Sequence, residues 1–456
     1  MKLLLENIFK DQIPENNHEL FPHTACKEKT IVIIDDDPTG CQTAYDAPVL
    51  FVWDMETLFL LFQSMCPLFF ILTNTRSMTE ETAVMTIKNV VEELTKAAKK
   101  AEREFIIISR SDSTLRGHYP AEPIAIDQSL GIDSMHCLIP AFFQGGRYTY
   151  NDVHYVKEGA YLIPAGETPF AKDKSFGFKS SDLKDYVFEK TLGEVGVEQV
   201  LSLSISDLRE KGPDYIKEKL LDSDSKVCIV NALAQSDLDV FSAGAWEAIF
   251  EGKNLLFRSA ASFINSFACM PVKETLTERE LKRESVGGGL IIVGSYVPKS
   301  SSQLQFLLEH GNAYPLELNV ESLFSETRES TITSIASRAG QLINSGNHTV
   351  IYTSRELKST DSPEKNLEIG KNVSDALVDI VRKIKDSPSF IISKGGITSH
   401  EIALNGLNMK KATVIGQALP GVPVLVPEDR TDMKYMIFPG NVGGEEDLLK
   451  LFNMMK

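Results

Sequence analysis

The chain of 456 residues is too long for one simple core, and at roughly 100–200 residues per domain it calls for two or three compact units. With 43% hydrophobic and 24% charged residues, 29 Gly and 20 Pro, it has the composition of a folded globular protein, which excludes disordered and collagen-like classes. Lys and Arg number 47 against 63 Asp and Glu, and the resulting charge of −16 disfavours nucleic acid and anionic membrane as partners, although a few arginines in a cleft suffice for a small anion.

No apolar run reaches the ~20 residues that span a bilayer, and Glu6 interrupts the short apolar start with no small-residue cleavage site after it. The six cysteines (Cys26, Cys41, Cys66, Cys137, Cys228, Cys269) are scattered without a C-x-x-C pair, which points to reduced thiols and away from a disulfide framework or zinc ribbon. A cytoplasmic protein is expected.

Apolar runs alternate with stretches of helical period, which predicts an α/β fold of two domains, each with a mostly parallel or mixed sheet flanked by helices, and a cleft between them. In the first domain, strands are expected at Thr30–Ile34, Val49–Trp53, Leu68–Thr73, Phe105–Ser109, Met135–Ile139 and Val227–Asn231. A helix is expected over Glu80–Glu102, where Ala83, Ile87, Val90, Val91, Leu94, Ala97, Ala98 and Ala101 recur at three and four, with Ser77 and Glu80 forming a capping box. The charged, apolar-poor run KETLTERELKRES ending in three glycines reads as a linker, giving domains 1–275 and 290–456 joined by residues 276–289. In the second domain, strands are expected at Leu290–Val293, Thr349–Thr353, Phe390–Ser393, Val414–Ile415, Val424–Val426 and Met436–Phe438. Helices are expected near Gln303–Glu309, Ile332–Ile343 and Val373–Ile384.

In open α/β sheets the ligand crevice lies beyond the carboxyl ends of the strands, so the loops that follow strands are the informative ones. Asp35-Asp36-Asp37 closes the first strand, and three adjacent carboxylates need a cation, a donor-rich ligand or solvent, although a solvated turn uses the same residues. Ser111, Asp112, Ser113, Arg116 and Arg110 follow the fourth strand; Arg116 or Arg110 can take a carboxylate bidentately while Asp112 accepts from hydroxyls. Arg76 and Arg147 sit in two further loops, and His154 reads as a satisfied structural histidine. In the second domain Gly294-Ser295, Gly395-Gly396 and Gly440-Asn441-Val442-Gly443 end strands, and adjacent glycines let backbone N–H groups approach phosphates, though tight turns use glycines too. No P-loop, G-x-G-x-x-G, protein-kinase or metal-protease motif is present.

Taken together and in order, these loops resemble the four-carbon acid sugar kinase family, formerly a domain of unknown function. The resemblance rests on DDDPTGCQT (35–43), SDSTLRG (111–117), residues 140–155, TPFAKDKSFGF (168–178), RSAASF (258–263), residues 294–303, KGGITS (394–399), GQALPGVP (416–423) and FPGNVGG (438–444). Each is weak alone; their joint order is specific. It implies an N-terminal substrate domain, a C-terminal nucleotide domain, and ATP- and Mg²⁺-dependent phosphorylation of a tetronate or 3-oxo-tetronate in carbohydrate catabolism.

The implied substrate residues are Asp35, Asp36, Arg76, Ser111, Asp112, Ser113, Arg116 and Arg147, with Asp112 or Asp36 orienting or deprotonating the reacting hydroxyl and Arg116 or Arg76 taking the carboxylate. Ser295, Gly395, Gly396, Gly440, Asn441, Val442 and Gly443 would face ATP, with Lys299 and Lys394 as candidates for phosphate contact, and domain closure would bring the γ-phosphate in line. A homo-oligomer is compatible with this reading. Ile397 replaces the acidic residue that many members carry after the double glycine, and Asp-Pro stands before Thr-Gly where many have an apolar residue. The rival readings are a sugar-acid sensor that binds nucleotide without turnover and a metal-dependent sugar-acid lyase that does not bind ATP.

Overall fold

The structure is a computed structural model, and it describes residues 3–4, 28–37, 39–270, 273–282, 287–295, 297–354 and 363–456. Cys26, Pro38, Tyr296 and residues 283–286 of the expected linker lie outside the described residues. The chain divides into two compact units: Met1–Gly40 with Trp53–Val272, and Cys41–Val52 with Lys273–Lys456.

Among the described residues the first unit holds seven parallel strands in the order Val200–Leu203, Val227–Val230, Met135–Ile139, Leu255–Ser259, Phe105–Arg110, Thr30–Asp35, Leu68–Leu72. Runs such as Leu68–Leu72 are buried along their whole length, which is why they lack the alternation of a half-exposed strand. From Thr30–Asp35 the chain passes first to a neighbour on one side, Leu68–Leu72, and then to the neighbour on the other, Phe105–Arg110. Open α/β sheets place their ligand sites beyond the strand ends at such a reversal, and here those ends are Asp35 and Arg110, which are paired in register.

The helix Glu80–Ala101 buries the predicted face through Ala98, each large apolar side chain contributing about 1.5–3 kcal/mol. Its cap is Thr79, not Ser77: Ser77 spends its hydroxyl on the Asn74 carbonyl at 2.9 Å, while Thr79 is extended and accepts from the Thr82 N–H.

Two strands went unpredicted, Val200–Leu203 and Leu255–Ser259, as did an antiparallel sheet built from Arg147–Tyr150, Val153–Glu158, Tyr161–Pro164 and Leu3–Leu4. Cys137 and Cys228 are buried thiols paired in register on neighbouring strands, whereas Cys269 is disulfide-bonded, contrary to the reduced-thiol expectation.

The second unit's sheet runs Ala47–Leu50, Lys411–Leu419, Val422–Pro427, Lys434–Phe438, Phe390–Lys394, Leu290–Val293, Thr349–Thr353, Tyr314–Leu318. The first three pairings are antiparallel and the rest parallel. Strand Ala47–Leu50 is offset from the expected Val49–Trp53, and Tyr314–Leu318, exposed along much of its length, lacked the apolar pattern that marks the others. Residues 273–282 pack on this unit: Thr277 and Glu280 form a capping box, Leu281 is in the core, and Lys434 Nζ donates to the Leu281 carbonyl at 2.7 Å. No helix among the described residues is long and apolar enough to cross a membrane.

Candidate active site

Three consecutive aspartates at one strand end would repel each other, and the fold answers them with arginines brought from other strand ends. Asp35 is buried; Arg110 Nη1 and the Asp37 N–H both donate to its Oδ1 at 3.0 Å, while Oδ2 has no partner among the described residues. Burial, only partly offset by Arg110, pushes its pKa from 3.8 up to about 7.

Asp36 accepts from Arg76 Nη2 and from Ser111 Oγ at 2.5 Å, with Arg258 Nη2 3.7 Å away. Asp37 accepts from Arg76 Nη1 at 2.7 Å and from the Thr39 hydroxyl at 2.6 Å. Burial opposes its charge, but Arg76 and Arg110 hold its carboxyl below the usual range.

The loop after Phe105–Arg110 adds Asp112, which accepts from Arg116 Nε at 2.7 Å and from the Thr114 hydroxyl and lies 4.0 Å from Arg76 Nη1. Burial works against ionisation here as well, yet Arg76 and Arg116 keep Asp112 charged, far below the usual carboxylate range. Ser111, Asp112, Arg116 and Arg258 line one small cavity with Tyr119 and Tyr186.

Ser113 contributes its carbonyl, which accepts from His154 Nε2 at 2.8 Å. A carbonyl only accepts, so that ring nitrogen carries the proton and Nδ1 receives the Thr149 hydroxyl at 3.0 Å. Burial lowers the His154 pKa to about 4, so the ring is neutral and structural, as its sequence context suggested.

Two residues of this cluster escaped the sequence reading. Arg258 Nη1 donates to Ser109 Oγ and Glu122 Oε2, both at 2.7 Å, and its Nη2 donates to Ser111 Oγ at 2.8 Å. Glu122 also accepts from Thr75 Oγ1 at 2.5 Å, so this buried pair ties the Arg76 loop to the Asp112 loop. The RSAASF run held Arg258 but gave it no role, and nothing in the AEPIAI helix marked Glu122.

Arg147 differs from its neighbours. It begins the antiparallel sheet, donates through Nη1 to the Gly145 carbonyl, and shares the Phe170 ring with Arg116, the two guanidinium carbons lying 5.9 and 5.0 Å from the ring centre. Arg76, Arg110, Arg116 and Arg258 are all paired with acids. Among the described residues Arg147 forms no ion pair, and its Nε is buried without a partner. A planar cation so placed can receive one carboxylate.

In the second unit, parallel pairing sets Val293 beside Lys394 and Lys394 beside Phe438, so three glycine-bearing strand ends lie side by side. Ser300 Oγ donates to Ser295 Oγ and the Gly440 carbonyl, both at 3.2 Å, and Gln303 Nε2 to the Val442 and Gly444 carbonyls at 3.1 and 2.6 Å. Gly395 has φ +117°, which favours glycine, and a Cβ there would approach Ser295 Cβ to 3.2 Å. Gly396 opens a short helix and Gly443 is also at positive φ, while Asn441 is exposed at the tip of the third loop.

The close approach of Gly395 to Ser295 leaves no room for a side chain at this strand end, and the three loops meet through backbone carbonyls that accept from Ser300, Gln303 and Lys394. Among the described residues no cluster of three or more His, Cys, Asp or Glu is arranged for a metal ion.

Two family models match the chain: a sugar-binding N-terminal domain over residues 31–267 and a nucleotide-binding C-terminal domain over residues 290–448. A D-threonate kinase of Salmonella typhimurium is 25% identical over 253 residues, which are 55% of this chain. That match spans 54% of the relative's length, about half of it. Among solved structures, a Salmonella typhimurium LT2 protein provisionally described as a tRNA synthase has a TM-score of 0.69 at 16% identity, covering 94% of this chain and 100% of the other. A Haemophilus influenzae protein from a domain-of-unknown-function family has a TM-score of 0.64 at 16% identity, covering 93% and 100%. At these identities the two structures speak for the fold.

Proposed function

The chain belongs to the four-carbon acid sugar kinase family, and we propose that it transfers the γ-phosphoryl group of ATP to a hydroxyl of a small acid sugar such as threonate. The observation that carries this reading is Arg147, a partly buried guanidinium without an acid among the described residues, beside four arginines that each have one. A substrate carboxylate completes the set. Arg76 and Arg116, engaged by aspartates, hold the acceptor groups in place.

Asp112 and Asp36 then face the substrate's hydroxyls as acceptors. Because Asp112 is held ionised, its part is to orient the attacking oxygen; phosphoryl transfer has a loose transition state and asks little of a base beyond this. In the second unit Ser295, Gly395, Gly396 and Gly440 through Gly443 hold the phosphates. Mg²⁺, bound to those phosphate oxygens, would supply charge neutralisation.

The test is incubation of the purified protein with Mg²⁺-ATP and a panel of threonate, erythronate and 3-oxo-tetronates, reading ADP release above a blank without acceptor. Release with at least one acid is expected. Silence across the panel, with ATP bound, would favour a sensor; silence without ATP binding would sink the kinase reading.

A further inference from the structure

Lys394 ends the strand Phe390–Lys394 with its side chain 0% exposed, an unusual place for an ammonium. Its Nζ donates to the carbonyls of Pro439 at 2.6 Å and Gly440 at 3.3 Å, and sits 4.0 Å from the centre of the Phe438 ring. Two charged groups act on it. Lys299, in the first turn of the helix Pro298–His310, repels it; Asp447, in the first turn of Asp447–Met455, attracts it, but Asp447 Oδ2 already accepts the Gly444 N–H at 2.7 Å. Among the described residues no carboxylate forms an ion pair with Lys394.

An ammonium has three N–H donors and a neutral amine two, so either form can serve both carbonyls. Burial first, then Lys299, lowers the pKa of this side chain from 10.5 to about 7. The turn it holds, Pro439–Gly440, belongs to one of the three glycine-bearing strand ends.

We infer that Lys394 is a positioning residue with two roles, fixing the Pro439–Gly440 turn in the free protein and taking up a proton from solvent when a nucleotide polyphosphate binds at that turn. The inference rests on the phosphate site proposed above. New negative charge beside a buried amine favours its protonated form, and the third N–H appears only with that proton. A lysine that merely braced the turn would leave proton traffic unchanged.

The experiment is titration calorimetry of the full chain with Mg²⁺-ATP in buffers of different ionisation enthalpy; the slope of observed heat against that enthalpy counts protons. Wild type at pH 8 is expected to take up between about half and nine-tenths of a proton per nucleotide, and little at pH 6, where an amine with a pKa near 7 is already charged. Lys394→Met should bind with no uptake at pH 8 and about 10–100-fold more weakly, as loss of a charge-assisted contact does. The wild-type comparison of pH 8 with pH 6 needs no variant and holds if Lys394→Met fails to fold. ATP bound by wild type at pH 8 without proton uptake, or uptake retained in Lys394→Met, overturns the inference with the nucleotide site intact. No ATP heat at all overturns the nucleotide site, and the inference with it.

Discussion

A Cβ on Gly117 would stand 2.5 Å from Ser111 Oγ, the hydroxyl that joins Asp36 to Arg258. The same carbon would lie 2.8 Å from Asp36 Oδ2 and from Arg258 Nη2, and Gly117 has φ +126°. The glycine of the SDSTLRG loop is therefore a requirement of the site's packing.

Gly117→Ala should cost about 1–3 kcal/mol in thermal or denaturant unfolding, the price of a strained backbone, and lower turnover at least tenfold by displacing Ser111 and Asp36. Steady-state kinetics on the folded variant check this. Activity equal to wild type would mean that the Ser111–Asp36 contact has no part in substrate handling.

Arg147→Lys should raise the KM for the sugar acid about 10–100-fold, the worth of a lost bidentate charge-assisted contact, and leave the KM for ATP unchanged. Arg116→Lys acts through Asp112 and should lower kcat as well. If Arg147→Lys left the sugar-acid KM untouched, the carboxylate would have to bind elsewhere.

Asp112→Asn should lower kcat about 100-fold or more with ATP affinity retained, because an amide cannot replace an ionised acceptor toward the hydroxyl. Single-turnover kinetics separate this from binding; unchanged turnover would remove Asp112 from the role. Arg258→Met belongs to a different class: it leaves Glu122 buried without its partner and should cost about 3–5 kcal/mol of stability, read in unfolding curves.

The pH dependence of stability carries opposite signs at two aspartates. Asp35 has a folded pKa of about 7 against 3.8 when exposed, so the folded state binds the extra proton between those values and its contribution fades as pH rises through 7. Wild type should lose stability relative to Asp35→Asn from pH 4 to pH 7, with little further change above. Asp112, held below its ordinary value, contributes above pH 3.8 and loses that contribution only in acid. Thermal melts of Asp35→Asn across pH 4–8, and of Asp112→Asn from pH 5 down into the acid range below pH 3.8, test the pair of signs.

Much of this architecture was legible in the chain. Ile31–Ile34 and Leu68–Leu72 are solid apolar runs because both sheet faces are covered, and the helix Glu80–Ala101 is marked by its period. Val200–Leu203 and Leu255–Ser259 were not legible, since VLSL and LLFRS mix apolar with polar residues and reach burial only beside their neighbours.

The site shows the same division. Asp36, Arg76 and Asp112 stand in dense polar loops directly after apolar runs and are visible there. Arg258 and Glu122 lie 136 positions apart and meet because Leu255–Ser259 pairs with Phe105–Arg110, setting Arg258 opposite Ser109. Lys394 looks like any surface lysine until the strands on both sides of it are known.

Passage of a phosphoryl group from ATP to an acid sugar can be followed by ³¹P NMR of the protein with Mg²⁺-ATP and each four-carbon acid in turn. Loss of the γ-phosphate signal, appearance of ADP, and a new phosphomonoester resonance coupled to a sugar-acid proton are expected. ATP consumed only to inorganic phosphate, or left intact with every acid while bound to the protein, would contradict such a transfer.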